Sequence, residues 1–321
     1  MDLAFLTPAA GLVALVGLVP LAALLGVRRA GNRARARLGL AEPRRRFYVL
    51  PVAALAATAG CFGLSAAQPV LSFDEERRVR TDAEAFFVLD ISRSMLASDT
   101  PGSASRIDRS KGLALALAGV VPTVPVGLAS VSDRTLPHLF PTADDDVFRA
   151  TLDKAIGVER PPPVHTLLRR VTSLEALSAV PTQGFFDPES VRRVLVVLTD
   201  GETLPGTRAR LGNLFRRPPG IETVFVHVWD RDERVFRGQN AEPGYRSDPA
   251  ARELLDRLAV QVGGQVFDES EVAAVAERLP GLLGSGPTVV EGRRRDDVPL
   301  APPLAAVALL PLGLLLWRRD R

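Results

Sequence analysis

Three stretches of this chain are apolar without a single charged residue: 8–27, 47–71 and 298–317. Each is long enough to cross ~30 Å of hydrocarbon as a helix. They stand at the two ends of the sequence, and between them the pattern changes. Short apolar runs now alternate with segments whose apolar residues recur at helical spacing. Residues 86–89, 126–131, 193–198 and 222–228 read as strands, and Gly263-Gly264 turns into a short strand over 265–267. Helices are predicted over 106–121, which stops before Pro122, from Asp144 through Ile156, and over 167–180, 249–262 and 270–283. Thr142 has the character of an N-cap. The acidic run Asp144, Asp145 and Asp146 then falls in the first turn, where the helix dipole favours it, and this reading is preferred to a second metal site.

Strands separated by helices imply right-handed crossovers and a mostly parallel sheet. The expected architecture is therefore α/β, a mostly parallel sheet flanked by transmembrane helices. In residue terms, 1–71 holds two helices (8–27 and 47–71) joined by a loop at 28–46, and 72–82 is a charged connector. The α/β domain covers 83–284, a linker 285–297, a third helix 298–317 and a short tail 318–321.

Charge orients these pieces. The loop between the first two apolar spans carries Arg28, Arg29, Arg33, Arg35, Arg37, Arg44, Arg45 and Arg46 against Glu42 alone. Short arginine-rich loops stay in the cytoplasm. The tail adds Arg318, Arg319 and Arg321 on the same side, so 83–284 is expected on the opposite, extracytoplasmic face of a bacterial inner membrane. Arg293, Arg294 and Arg295 precede the third span on that outer side, against the rule, but the eight-arginine loop dominates. The net charge of +3 conceals this partition. Taking those eleven arginines from the 40 basic residues leaves 72–297 with 29 basic and 34 acidic residues, an acidic domain that is a poor match for nucleic acid.

One cysteine, Cys61, excludes an intramolecular disulfide. Thr58-Ala-Gly-Cys61 is similar to a lipoprotein cleavage site and Arg44-Arg-Arg-Phe47 to a twin-arginine signal, yet the apolar stretch runs on through Leu71. A small residue within a membrane helix is the preferred reading of Cys61.

Candidate chemistry lies at the ends of two predicted strands. The first ends in Asp90-Ile-Ser92-Arg-Ser94, and Val194-Leu-Val-Val-Leu-Thr-Asp200-Gly ends the second. Loops at the carboxyl ends of parallel strands are where α/β sheets bind ligands. Oxygen-only ligands at such a point suit a hard divalent cation. The plainer alternative is that Ser92 and Ser94 cap a helix while Asp90 and Asp200 are ordinary strand-end residues.

Asp90-x-Ser92-x-Ser94 with a later Leu-Thr-Asp-Gly resembles the metal-ion-dependent adhesion site of von Willebrand factor type A domains. The resemblance covers roughly 83–283. It implies a doubly wound α/β fold and a Mg²⁺ (or Mn²⁺) site built from Asp90, Ser92, Ser94, a threonine and Asp200. Thr166, in a loop before a helical pattern, is the best match for that threonine, with Thr172 the weaker candidate. His165 stands where the family often has glycine. Arg93 also stands where glycine is common, and its side chain is expected to point to solvent. An open metal position would take a carboxylate from a partner protein.

The span arrangement, with Phe5-Leu-Thr-Pro8, Pro20-Leu21, Arg28-Arg29, Gly127-Leu128-Ala-Ser and Phe140-Pro-Thr142, resembles the Bat-type aerotolerance proteins of bacteria. That implies a membrane-anchored assembly factor working with other such membrane proteins and a MoxR-type AAA+ ATPase. A metal-independent structural scaffold is the alternative. Catalysis has little to stand on: the three histidines are His138, His165 and His227, and no Gly-x-Ser-x-Gly, His-Glu-x-x-His or phosphate-binding loop occurs. His227 lies in an apolar strand and reads as a core or sheet-face residue.

Overall fold

A computed structural model describes residues 2–39, 46–162, 172–203 and 209–319. Two compact units emerge, Arg78–Glu291 and a second formed by Met1–Arg77 with Gly292–Arg321.

The first unit is built on a six-stranded sheet. Its strands are β1 (Ala83–Asp90), β2 (Val126–Val131), β3 (Thr135–Thr142), β4 (Arg192–Thr199), β5 (Glu222–His227) and β6 (Gln265–Asp268). They run in the order β6-β5-β4-β1-β2-β3. All neighbours are parallel except β2 and β3. Helices α1 (Arg106–Ala118), α2 (Asp145–Ala155), α3 (Ala209–Phe215) and α4 (Ala251–Val262) lie in the connections between strands, and α5 (Val272–Leu283) follows β6.

The period of two along β1 explains why both faces are covered. Ala85, Phe87 and Leu89 pack into a core with Leu117 of α1, Phe148 and Leu152 of α2 and Leu279 of α5. Phe86 and Val88 face the other way, into a core with Phe215 of α3 and Leu255 and Leu258 of α4. Gly127 is needed opposite Phe86: a Cβ there would lie 2.5 Å from the Phe86 ring.

β3 is an antiparallel edge strand that the sequence reading passes over. It carries Pro137 and Pro141, which an edge position tolerates. Thr142 is not the N-cap of α2. That role falls to Asp144, whose Oδ1 accepts from the Asp146 and Val147 amides at 3.1 Å, while the Thr142 hydroxyl accepts from the Asp144 amide at 3.2 Å. Helix formation over the described part of 167–180 begins only at Leu174, as a 3-10 turn (Leu174–Ser178) running into Ala179–Thr182.

In the second unit, Pro8–Gly17 is 3-10 helix running into the α-helix Leu18–Arg37, followed by helices Arg46–Ala66 and Ala301–Arg319. By length and composition Pro8–Arg37 and Val49–Ala66 are able to cross a membrane, and Ala301–Leu314 is a shorter apolar helix. Their apolar side chains stand outward: Leu12, Val16, Val19, Leu309 and Leu310 are all exposed. The first and second segments approach through small residues, since a Cβ on Gly63 would lie 2.5 Å from that of Ala14. The second apolar helix ends at Ala66. Pro69–Arg80 is then a strand, paired antiparallel with Asp2–Phe5 so that Asp2 lies opposite Ser72. Thr288–Pro299 is also a strand.

Candidate functional site

β1 and β4 are neighbours in the sheet, but the chain leaves them in opposite directions, toward β2 and toward β5. This is the topological switch point, where diverging loops open a crevice at the strands' carboxyl ends. Asp90 ends β1 there, and Asp200 directly follows β4. Both carboxylates are fully buried.

The turn after β1 is shaped by Asp90 itself, whose Oδ1 accepts from the Ser92 amide at 2.9 Å. Ser92 sits at the N-cap of a short 3-10 turn, Arg93–Leu96, yet its side chain makes no capping bond. Its hydroxyl instead lies 2.9 Å from that of Ser94. Helix capping therefore does not account for Ser92.

Two threonines complete the ring. Thr172 Oγ1 is 2.9 Å from Asp90 Oδ1 and 3.0 Å from Oδ2, and Thr199 Oγ1 donates to Asp90 Oδ2 at 2.7 Å. Thr172 is held by a bridge to Thr203, whose hydroxyl donates to the Thr172 carbonyl at 2.9 Å. Thr166 and His165 lie outside the described residues. Thr199 is the threonine of the Leu-Thr-Asp-Gly motif, to which the sequence alone assigned no role.

Asp200 is fixed from three sides. Its Oδ1 accepts from the Glu202 amide at 3.0 Å, and its carbonyl accepts from His227 Nε2 at 3.1 Å. The third contact is Arg106, whose Nη1 lies 3.0 Å from Asp200 Oδ2. Gly201 makes the turn with φ +72°, and a Cβ there would stand 2.9 Å from the Ala251 carbonyl oxygen.

Arg106 is the residue that sequence reasoning missed. It opens α1 behind a capping box of Ser105 and Asp108 and is fully buried. Besides Asp200 it reaches Glu202 at 3.0 Å, Glu233 at 2.5 Å, Tyr245 Oη at 2.9 Å and Ser247 Oγ at 2.9 Å. The one weak signal in the sequence was an arginine in the first turn of a helix, where the dipole mildly disfavours a cation. Arg93 corrects a second expectation: its guanidinium does not point to solvent but pairs with Glu242.

Electrostatics mark the centre of the site. Burial, and then the neighbouring Asp200 charge, push the Asp90 carboxyl up to about 7. Burial and the same charge raise Glu202. Burial lowers both His227 and His138. The buried Asp90 and Asp200 carboxylates, with the hydroxyls of Ser92, Ser94, Thr172 and Thr199 gathered at the same strand ends, form an oxygen-only donor set of the kind a hard dication takes. Among the described residues, no group of three or more His, Cys, Asp or Glu gathers as a metal cluster, at this site or elsewhere; the donors here are two carboxylates and hydroxyls.

This sheet, with its switch-point site, is the α/β fold of von Willebrand factor type A domains. Two solved structures share it: BatB from Bacteroides thetaiotaomicron, and an aerotolerance-related membrane protein from Bacteroides fragilis NCTC 9343. Each is 21% identical with a TM-score of 0.50 over 63% of this chain, covering 100% of the first and 98% of the second. No protein-family model matches the sequence, and no curated protein matches it.

Proposed function

We propose that this chain is a membrane-anchored docking protein whose type A domain grips a partner protein through a divalent cation. Asp90, Ser92, Ser94 and Asp200 would hold the ion, with Thr172 described at the site and Thr166 the candidate outside the described residues. Mg²⁺ or Mn²⁺ would supply Lewis acidity toward a carboxylate oxygen of the partner. The chain's own residues do the remainder: Thr172 and Thr199 orient Asp90, and Arg106 with His227 fixes Asp200.

The observation that carries this reading is the buried Asp90 and Asp200 pair ringed by hydroxyls at the switch point. The outward apolar surface of the terminal helices supports membrane anchoring. With the arginine loop in the cytoplasm, the type A domain, 83–284, lies outside a bacterial inner membrane, with the apolar helices within Pro8–Arg37, Arg46–Ala66 and Ala301–Arg319 as its anchors. The reading is of a binding protein rather than an enzyme, acting in envelope stress or complex assembly with other type A membrane proteins and a MoxR-type ATPase. Cross-linking and pull-down of the membrane-embedded chain tests it. Capture of a protein partner in Mg²⁺ that is lost in EDTA and in Asp90→Ala supports metal-dependent docking. Capture indifferent to both favours the scaffold alternative.

A further inference from the structure

A hairpin absent from the sequence reading stands beside the site. Arg234–Arg237 pairs with Asn240–Ala241 on one side and with Ala97–Ser98, just beyond the 3-10 turn of Arg93 and Ser94, on the other. It encloses a cleft of about 490 Å³ whose lining includes Arg93, Ser94, Arg237, Asn240, Glu242 and Tyr245. Ser94 belongs to the candidate metal site and also lines the cleft, so the two adjoin.

The cleft is built rather than incidental. The Glu242 amide donates to the Val235 carbonyl at 2.8 Å and the Tyr245 amide to the Glu242 carbonyl at 3.2 Å. Tyr245 Oη is held between Arg106 and Glu202, both at 2.9 Å. The buried cation that fixes Asp200 thus also anchors the cleft's far wall.

Charge decides what the cleft takes. Arg93 and Arg237 both turn to Glu242, but unequally. The Arg93 pair is close, whereas Arg237 Nη2 is 3.8 Å from Glu242 with its side chain 85% exposed. The lining carries two guanidinium groups against one carboxylate, Glu242; Glu159 also acts on Arg93, which leaves Arg237 as the cation turned to the mouth.

We propose that the partner segment is doubly acidic: one carboxylate goes to the metal site, and a second acidic side chain a few residues away lies in this cleft against Arg237. This rests on the metal-dependent docking proposed above. The Arg237 contact is solvent-accessible, so its contribution is modest, roughly two- to fivefold in affinity, and weakens with salt.

The test uses the full chain in lipid nanodiscs with Mn²⁺ and fluorescein-labelled glycine peptides bearing one aspartate, or two separated by one to four glycines. Anisotropy should show at least one two-aspartate peptide binding roughly two- to fivefold tighter than the single-aspartate peptide. Arg237→Gln should abolish that preference, Arg237→Glu should shift it toward a peptide with lysine in the second position, and Arg231→Gln, outside the cleft, should leave it intact. A preference that survives Arg237→Gln, or falls equally in Arg231→Gln, overturns the proposal. Mn²⁺ electron paramagnetic resonance on the same samples separates the failures. A chain that takes up Mn²⁺ but shows no preference sinks the cleft alone, and one that takes up none sinks the docking reading and the cleft with it.

Discussion

Arg106 Nη1 lies 3.0 Å from Asp200 Oδ2, and neither side chain is exposed to solvent. A fully buried guanidinium is tolerated only because Asp200, Glu202 and Glu233 surround it. Burial alone would lower its pKa, but Asp200, Tyr245 and Glu202 outweigh that and raise it, so the charge is permanent. Half of the candidate metal site is thus held in place by a cation contributed by α1.

Arg106→Met should therefore destabilise the domain by about 3–5 kcal/mol, because three carboxylates lose their buried counter-charge. Arg106→Lys keeps the charge but not the planar fork, and should lose part of that stability. Thermal unfolding followed by circular dichroism, with both variants in the full chain, reads the difference.

Asp90 predicts an unusual pH dependence. Its folded pKa, about 7, lies above the ordinary 3.8, so between these values the folded state binds more protons than the unfolded one. Without metal, this group's contribution to stability falls as pH rises from about 4 to about 7. A bound dication favours the charged form and reverses the effect, so stabilisation by Mg²⁺ should be larger at pH 8 than at pH 5. Melting temperatures across that range, with and without the ion, measure it.

Asp90→Asn isolates the same conflict. In the absence of metal at pH 7 it removes a desolvated charge beside Asp200, so the variant should melt at or above the wild-type temperature. It should also lose all stabilisation by divalent ions. A variant that melts much lower without metal would mean that the Asp90 carboxylate is structural.

Membrane orientation is open to a direct assay. A reporter active only in the cytoplasm, fused after Gly286, should be silent, and the same reporter fused after Arg321 should be active. Activity at Gly286 would place the type A domain beside the arginine loop instead.

Much of the fold is legible because buried parallel strands announce themselves. Residues 86–89 and 194–198 are apolar on both faces, and each run ends in the aspartate that the site uses. What was hidden depended on pairing rather than pattern. β3 is half-exposed, broken by two prolines and irregular in register against β2, so it lacks clean alternation. The 234–241 hairpin has strands of four and two residues, too short to show a period. Arg106 looked like any helix-surface arginine, because its acidic partners lie 94, 96 and 127 residues further along the chain. Thr142 lost the cap to Asp144 because the strand runs through Thr142 and delays the helix by two residues.

Isothermal titration calorimetry of the full chain with Mn²⁺ tests the central claim most directly. A saturable one-to-one binding heat that disappears in Asp90→Asn is the result this account predicts. No heat at millimolar Mn²⁺, from a chain whose circular dichroism shows the α/β domain folded, would contradict it.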